Sequence, residues 1–164
     1  MAEAQTRFSG TPTLPFTRAE HLARQARLRR TLKERGFDAM LVFAQESHFW
    51  LTGYDTGGFV FFQCAVVTAD EKPIVLLTRR PDLLQARQTS TIEDIRIWWD
   101  AEDANPARDL KAILEELGLA GGRIAVELNT HGLTGWNLWR LQKTLDGFCT
   151  LDNDDHLIRR LRLV

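Results

Sequence analysis

The chain has 164 residues, 44% of them apolar and 26% charged, with 21 Lys and Arg against 22 Asp and Glu. That is the size of one globular domain, long enough to bury roughly 70% of its unfolded surface without disulfide or metal staples. A formal net charge of −1 argues against a basic nucleic-acid footprint and a polybasic membrane surface. The two cysteines, Cys64 and Cys149, have no CxxC spacing and read as small hydrophobes in a reducing, cytoplasmic setting. The longest apolar segment, Phe59 to Val67, is broken by Gln63 and falls far short of the ~20 residues of a membrane span. The opening MAEAQTRFSGTPTLP lacks an apolar signal region and reads as a flexible leader over residues 1–15.

Thr17 and Glu20 then have capping-box spacing, and Leu22, Ala26, Leu28 and Leu32 lie among arginines in an amphipathic helix ended by Gly36. Asp38 to Ala44 is a nearly continuous apolar run, the pattern of a strand covered on both faces. Glu46 to Leu51 suits a helical turn, and Gly53, Gly57 and Gly58 mark a loop. The runs Phe59–Val67 and Ile74–Thr78 flank the polar turn Thr68–Pro73 as a β-hairpin. Pro81 opens a helix to about Gln88 with Asp82 near its positive end, and Ile92–Trp99 resumes strand character. Leu110, Ile113, Leu114 and Leu117 define the clearest helix, with Pro106 at its start and Gly118 past its end. A strand over Arg123–Leu128, a helix capped by Thr134 and closed by Gly147, and a short strand over Phe148–Leu151 follow. Asp154 or Asp155 is placed to cap a last helix in LIRRLRLV. The order α-β-(α)-β-β-α-β-α-β-α-β implies a three-layer α/β domain with a mixed sheet flanked by helices.

The glycines form neither GxGxxG nor a P-loop, and no serine stands in a GxSxG elbow. The histidines His21, His48, His131 and His156 lack HExxH spacing, and the acidic Asp152–Asp155 segment lacks the turn glycine and distal Glu of a calcium loop. The distinctive stretch is Trp50-Leu-Thr-Gly-Tyr-Asp55 followed by Gly57-Gly-Phe-Val-Phe-Phe-Gln63. It offers stacking surfaces, a hydroxyl and a carboxylate on backbone that can approach a ligand closely. Arg79 and Arg80, at the end of the hairpin, add cationic donors for a carboxylate. The residues leave a second reading open, in which the aromatics cover a sheet edge and the arginines are solvated.

In order and spacing, Asp38-Ala-Met-Leu-Val42, the WLTGYD segment, the hairpin ending at Arg79-Arg80, Gly122-Arg-Ile-Ala-Val-Glu127 and Leu157-Ile-Arg-Arg-Leu-Arg162 form a pattern. It resembles the N-terminal domain of the creatinase, prolidase and Xaa-Pro aminopeptidase family, from about Phe16 to Val164. Tyr54, Asp55, Phe59 and Gln63 look closest to the ectoine hydrolase branch, whereas Ser47, His48, Trp50 and Gly57-Gly58 depart from the family pattern. The resemblance implies a ribonuclease-H-like domain over residues 16–153, with residues 154–164 starting the linker to a C-terminal catalytic domain. That domain binds two divalent metal ions, often manganese, and hydrolyses an amide or related C–N bond. The resemblance implies no catalytic or metal-binding role for this chain. It implies a homodimer in which the loop covers a small-molecule or dipeptide substrate, with Trp50, Tyr54, Asp55, Phe59 and Phe61 as contacts. The alternatives are a free-standing small-molecule-binding α/β module that uses the same loop with Arg79 and Arg80, and a structural protein that dimerises through its aromatic edge.

Overall fold

A computed structural model describes residues 10–154 and 156–163. The leader residues 1–9, Asp155 and Val164 lie outside the described residues. The helices are α1 (Arg18–Glu34), α2 (Gln45–Thr52), α3 (Leu83–Thr89), α4 (Pro106–Glu116), α5 (Gly135–Leu145) and α6 (Leu157–Arg162). The strands are β1 (Ala39–Val42), β2 (Cys64–Thr68), β3 (Val75–Arg79), β4 (Asp94–Trp98), β5 (Arg123–Val126) and β6 (Thr150–Asn153). Their sheet order is β4-β3-β2-β1-β5-β6. β2 runs antiparallel to β1 and β3, while the helix-linked pairs β3/β4, β1/β5 and β5/β6 are parallel. Met40 faces Val67 across one junction and Leu76 faces Ile95 across another.

Strand periodicity divides the apolar residues between two cores. Leu41, Phe43, Val66 and Leu77 pack on Leu110, Leu114 and Leu141 of α4 and α5. Met40, Val42, Ala65 and Leu76 pack on Leu28 and Leu32 of α1, with Leu51, Leu157 and Ile158 from α2 and α6. β1 and β2 are buried along their whole length, as expected of strands sandwiched between helix layers.

Three local expectations change. First, the inward face of α1 is His21, Gln25, Leu28 and Leu32, while Leu22 is half exposed. The polar pair faces inward because α2 ends against it with carbonyls that need donors. Secondly, the run Phe59–Val67 becomes a strand only at Cys64. Gly58–Val60 is a 3₁₀ turn, and the Phe62 carbonyl accepts from the Trp98 indole at 2.9 Å instead of from a neighbouring strand. Thirdly, His156 occupies the N-cap position of α6 without a side-chain cap, because the Asp154 carboxylate pairs with Arg35. The expected caps at Thr17, with its hydroxyl accepting from Glu20 N–H at 3.2 Å, and at Thr134 are in place.

Candidate functional site at the carboxyl edge of the sheet

Five strands end at one edge of the sheet, so β1, β3, β4, β5 and β6 deliver their following segments to the same end, and the chain enters β2 there. In open α/β sheets this carboxyl edge is where ligands bind. Here it receives α2 and the loop to Gln63, the Arg79–Asp82 turn, Trp99, and the start of α5.

α2 is clamped at both ends by distant residues. Its N-cap position, Ala44, supplies no side chain, and Glu127 from the end of β5 takes over. The Glu127 carboxylate accepts from the N–H of Phe43 (3.2 Å), the N–H of Ala44 (3.0 Å) and the Ser47 hydroxyl (2.6 Å). Burial pushes its pKa up to about 7, against the pull of those three donors. At the other end, the last four carbonyls of α2 all find donors. Phe49 accepts from Gly53 N–H, Trp50 from Arg24, Leu51 from the Gln25 amide and Thr52 from Thr91 N–H, at 2.8–3.0 Å. Gly53 closes the helix with φ +83°, where a Cβ would also lie 2.7 Å from the Thr89 carbonyl.

The sequence-selected residues then part company. Trp50 is half-buried on the α1 side, with the Arg24 guanidinium 5.2 Å from its ring. Tyr54 lies inside the domain, fully buried, its ring edge-on to His48 at 5.7 Å. Its hydroxyl adjoins Thr56, Gln63 and Thr78, and burial raises its pKa. His48 is buried as well, and desolvation lowers its pKa to about 4, so the imidazole is neutral at physiological pH. Asp55 is exposed beside α3, its N–H donating to the Thr89 hydroxyl at 3.2 Å. Phe59, Val60 and Phe61 form an exposed apolar tip on the 3₁₀ turn, 37%, 57% and 42% accessible. Arg79 comes to that tip, its guanidinium 3.3 Å from the Phe61 ring centroid, and pairs with Asp82; Arg80 is exposed. The structure thus joins Phe59, Phe61 and Arg79, keeps Trp50 elsewhere, and makes Tyr54 the post beneath the loop.

Sequence reasoning missed other residues of this edge. Trp136 and Trp139 at the start of α5 are exposed and stacked, centroids 4.9 Å apart and planes 11° from parallel. Their signal was the i, i+3 spacing off the buried Leu141–Leu145 stripe. Trp99 is 60% exposed just beyond β4. Asp82, three residues after Arg79, is buried, and its ion pair was readable only as a spacing. Where β1 and β5 end, a cleft of about 190 Å³ is lined by Ala44, Glu46, Glu127, Asn129, Arg159 and Arg162.

A family model described as the creatinase/prolidase N-terminal domain matches residues 24–164. The chain belongs to this family. It is 29% identical over 126 residues to ectoine hydrolase of Halomonas elongata, covering 73% of this chain and 31% of that protein. The chain therefore spans about a third of the length of that relative. Among solved structures, a Streptococcus pyogenes Xaa-Pro aminopeptidase chain superposes with a TM-score of 0.70 at 20% identity, over 89% of this chain and 100% of that one. The N-terminal domain of the cytoplasmic peptidase PepQ from Mycobacterium tuberculosis gives 0.66 at 24%, over 85% and 98%. A Pyrococcus horikoshii dipeptidase gives 0.69 at 28%, over 86% of this chain and 36% of that one. These structures share the three-layer α/β fold of this domain. No group of three His, Cys, Asp or Glu among the described residues is placed to hold a metal ion, so the dinuclear site implied by the family does not fit these residues. Nor is any helix among them long and apolar enough to cross a membrane.

Proposed function

We propose that this chain is the non-catalytic N-terminal domain of a longer dinuclear-metal C–N hydrolase of the Xaa-Pro peptidase, creatinase or ectoine hydrolase type, dimerising and covering the substrate site. The observation that carries this reading is that Phe59, Phe61, Trp99, Trp136 and Trp139 are all exposed on segments that follow the carboxyl ends of the sheet's strands. Large apolar side chains left exposed at one end of a domain mark an interaction face. Family membership supports the reading, as does the 31–36% share that the chain spans of the ectoine hydrolase and the dipeptidase. In it, Phe59, Phe61 and the Arg79–Arg80 pair face a small-molecule or dipeptide substrate, Asp55 stands at the rim, and Tyr54 supports the loop from behind, while Trp50 lies apart on the α1 side. The metals, with manganese as the expected ion, are held by residues outside this chain. The free thiols Cys64 and Cys149 support a cytoplasmic setting.

The test is turnover of Xaa-Pro dipeptides, creatine and ectoine by the purified 164-residue chain in the presence of manganese. No hydrolysis above the no-protein control is expected; metal-dependent turnover would contradict the assignment.

A further inference from the structure

Three exposed apolar residues on a turn that starts from two glycines make an unusual surface to hold still in water, since ordering each residue costs backbone entropy. The structure contains a specific restraint. Asp82 is 8% exposed, and each of its carboxylate oxygens has a separate task. Oδ2 accepts from Arg79 Nε at 3.3 Å, and the Arg79 guanidinium lies 3.3 Å from the Phe61 ring centroid. Oδ1 faces the Thr56 hydroxyl at 3.5 Å, and that hydroxyl accepts from Gly58 N–H at 2.9 Å, at the first residue of the 3₁₀ turn. Gly58 is pressed directly on this node, because a Cβ there would collide with Asp82 Oδ1 and lie 2.5 Å from Gln63 Nε2.

We propose that Asp82 is the positioning residue of the aromatic tip. One carboxylate fixes Arg79 beneath Phe61 and Thr56 beneath Gly58, so that Phe59, Val60 and Phe61 meet a partner already ordered. Pre-ordering removes a cost that docking otherwise carries. An asparagine at 82 still accepts from the guanidinium through its amide oxygen and donates to the Thr56 hydroxyl through its amide nitrogen, whereas an alanine removes both contacts at once. The benefit to docking rests on the interaction reading above; the order of the tip in the unbound chain does not.

The experiment places 4-fluorophenylalanine at position 61 of the 164-residue chain and follows its fluorine resonance below the melting temperature. The expected wild-type signal is one resonance displaced from the unfolded-chain position by the guanidinium against the ring. Asp82→Ala and Thr56→Val move it most of the way to the unfolded-chain position while far-ultraviolet circular dichroism stays native, and Thr56→Ser keeps the wild-type signal. An unchanged resonance in folded Asp82→Ala, or a wild-type resonance already at the unfolded-chain position, overturns the proposal. Where Asp82→Ala fails to fold, Thr56→Val decides between the same two outcomes. An ordered tip on a chain that docks nothing supports the positioning role and counts only against the docking reading.

Discussion

The two ends of the sheet are built on opposite principles. At the amino end, turns are stapled by charged side chains onto the backbone: Arg29 donates to the carbonyls of Thr68, Asp70 and Lys72. Asp38 accepts from Arg123 N–H at 2.8 Å, and Arg123 pairs with Asp152. At the carboxyl end the exposed side chains include Phe59, Phe61, Trp99, Trp136 and Trp139 alongside charged groups such as Asp55 and Arg80, while His48, Tyr54 and Gln63 are drawn inward. Among the described residues, the buried polar side-chain atoms without a hydrogen-bond partner include those of His48, Tyr54, Gln63 and Thr78, all beneath the 53–63 loop. An end that satisfies its polar groups and shows charge to water serves stability. An end that shows apolar rings and stores polar groups underneath is arranged for contact.

The sharpest way to break this contrast is at Tyr54. If it is the buried post of the loop, Tyr54→Ala costs about 3–5 kcal/mol in urea denaturation, as for other buried aromatics. Tyr54→Phe costs less than about 1 kcal/mol, because its hydroxyl is imperfectly paired. Glu127→Ala leaves the Ser47 hydroxyl and two buried amides without an acceptor and is expected to cost about 2–4 kcal/mol.

Protonation sharpens the contrast further, because His48 and Glu127 oppose each other. The folded-state pKa of Glu127 is raised from 4.5 to about 7, so its contribution to stability falls as pH rises through that window. That of His48 is lowered from 6.5 to about 4, so its contribution is present above 6.5 and falls as pH drops toward 4. Between about 4.5 and 6.5 the contributions of these two groups offset each other. Glu127→Gln unmasks His48, and stability then rises by about 2–3 kcal/mol from pH 4 to 6.5. A Glu127→Gln profile no steeper than that of wild type counts against that opposition.

At the amino end, Arg29→Ala removes a charged donor from three carbonyls and is expected to lower stability by about 1.5–3 kcal/mol, measured the same way. The smallest effect per residue belongs to the tip, where Phe59→Ser and Phe61→Ser each cost about 1 kcal/mol, since both rings are already partly in water.

Legibility in the sequence followed the range of the interactions. The α4 stripe, the Thr17 and Thr134 caps and the order of helices and strands depend on neighbours a few residues apart, and all were readable. The inward turn of His21 and Gln25 was not, because the carbonyls they serve lie 26–29 residues away in α2. The Glu127 cap spans 80–84 residues and left no local pattern. Within the loop, composition marked the right segment but not which rings face water. Tyr54 carries the polar group yet is buried, while the purely apolar Phe59 and Phe61 are exposed. Only the packing of Tyr54 against His48 and Thr78 decides that.

The central claim, that the carboxyl edge is the interaction face, is tested most directly by sedimentation equilibrium of three chains: wild type, Phe59→Ser with Phe61→Ser, and Arg29→Ala. The account predicts that wild type and Arg29→Ala self-associate with equal affinity and that the tip variant is weakened at least tenfold. Equal association of wild type and the tip variant, or a wild-type chain that stays monomeric at its highest soluble concentration, would contradict it.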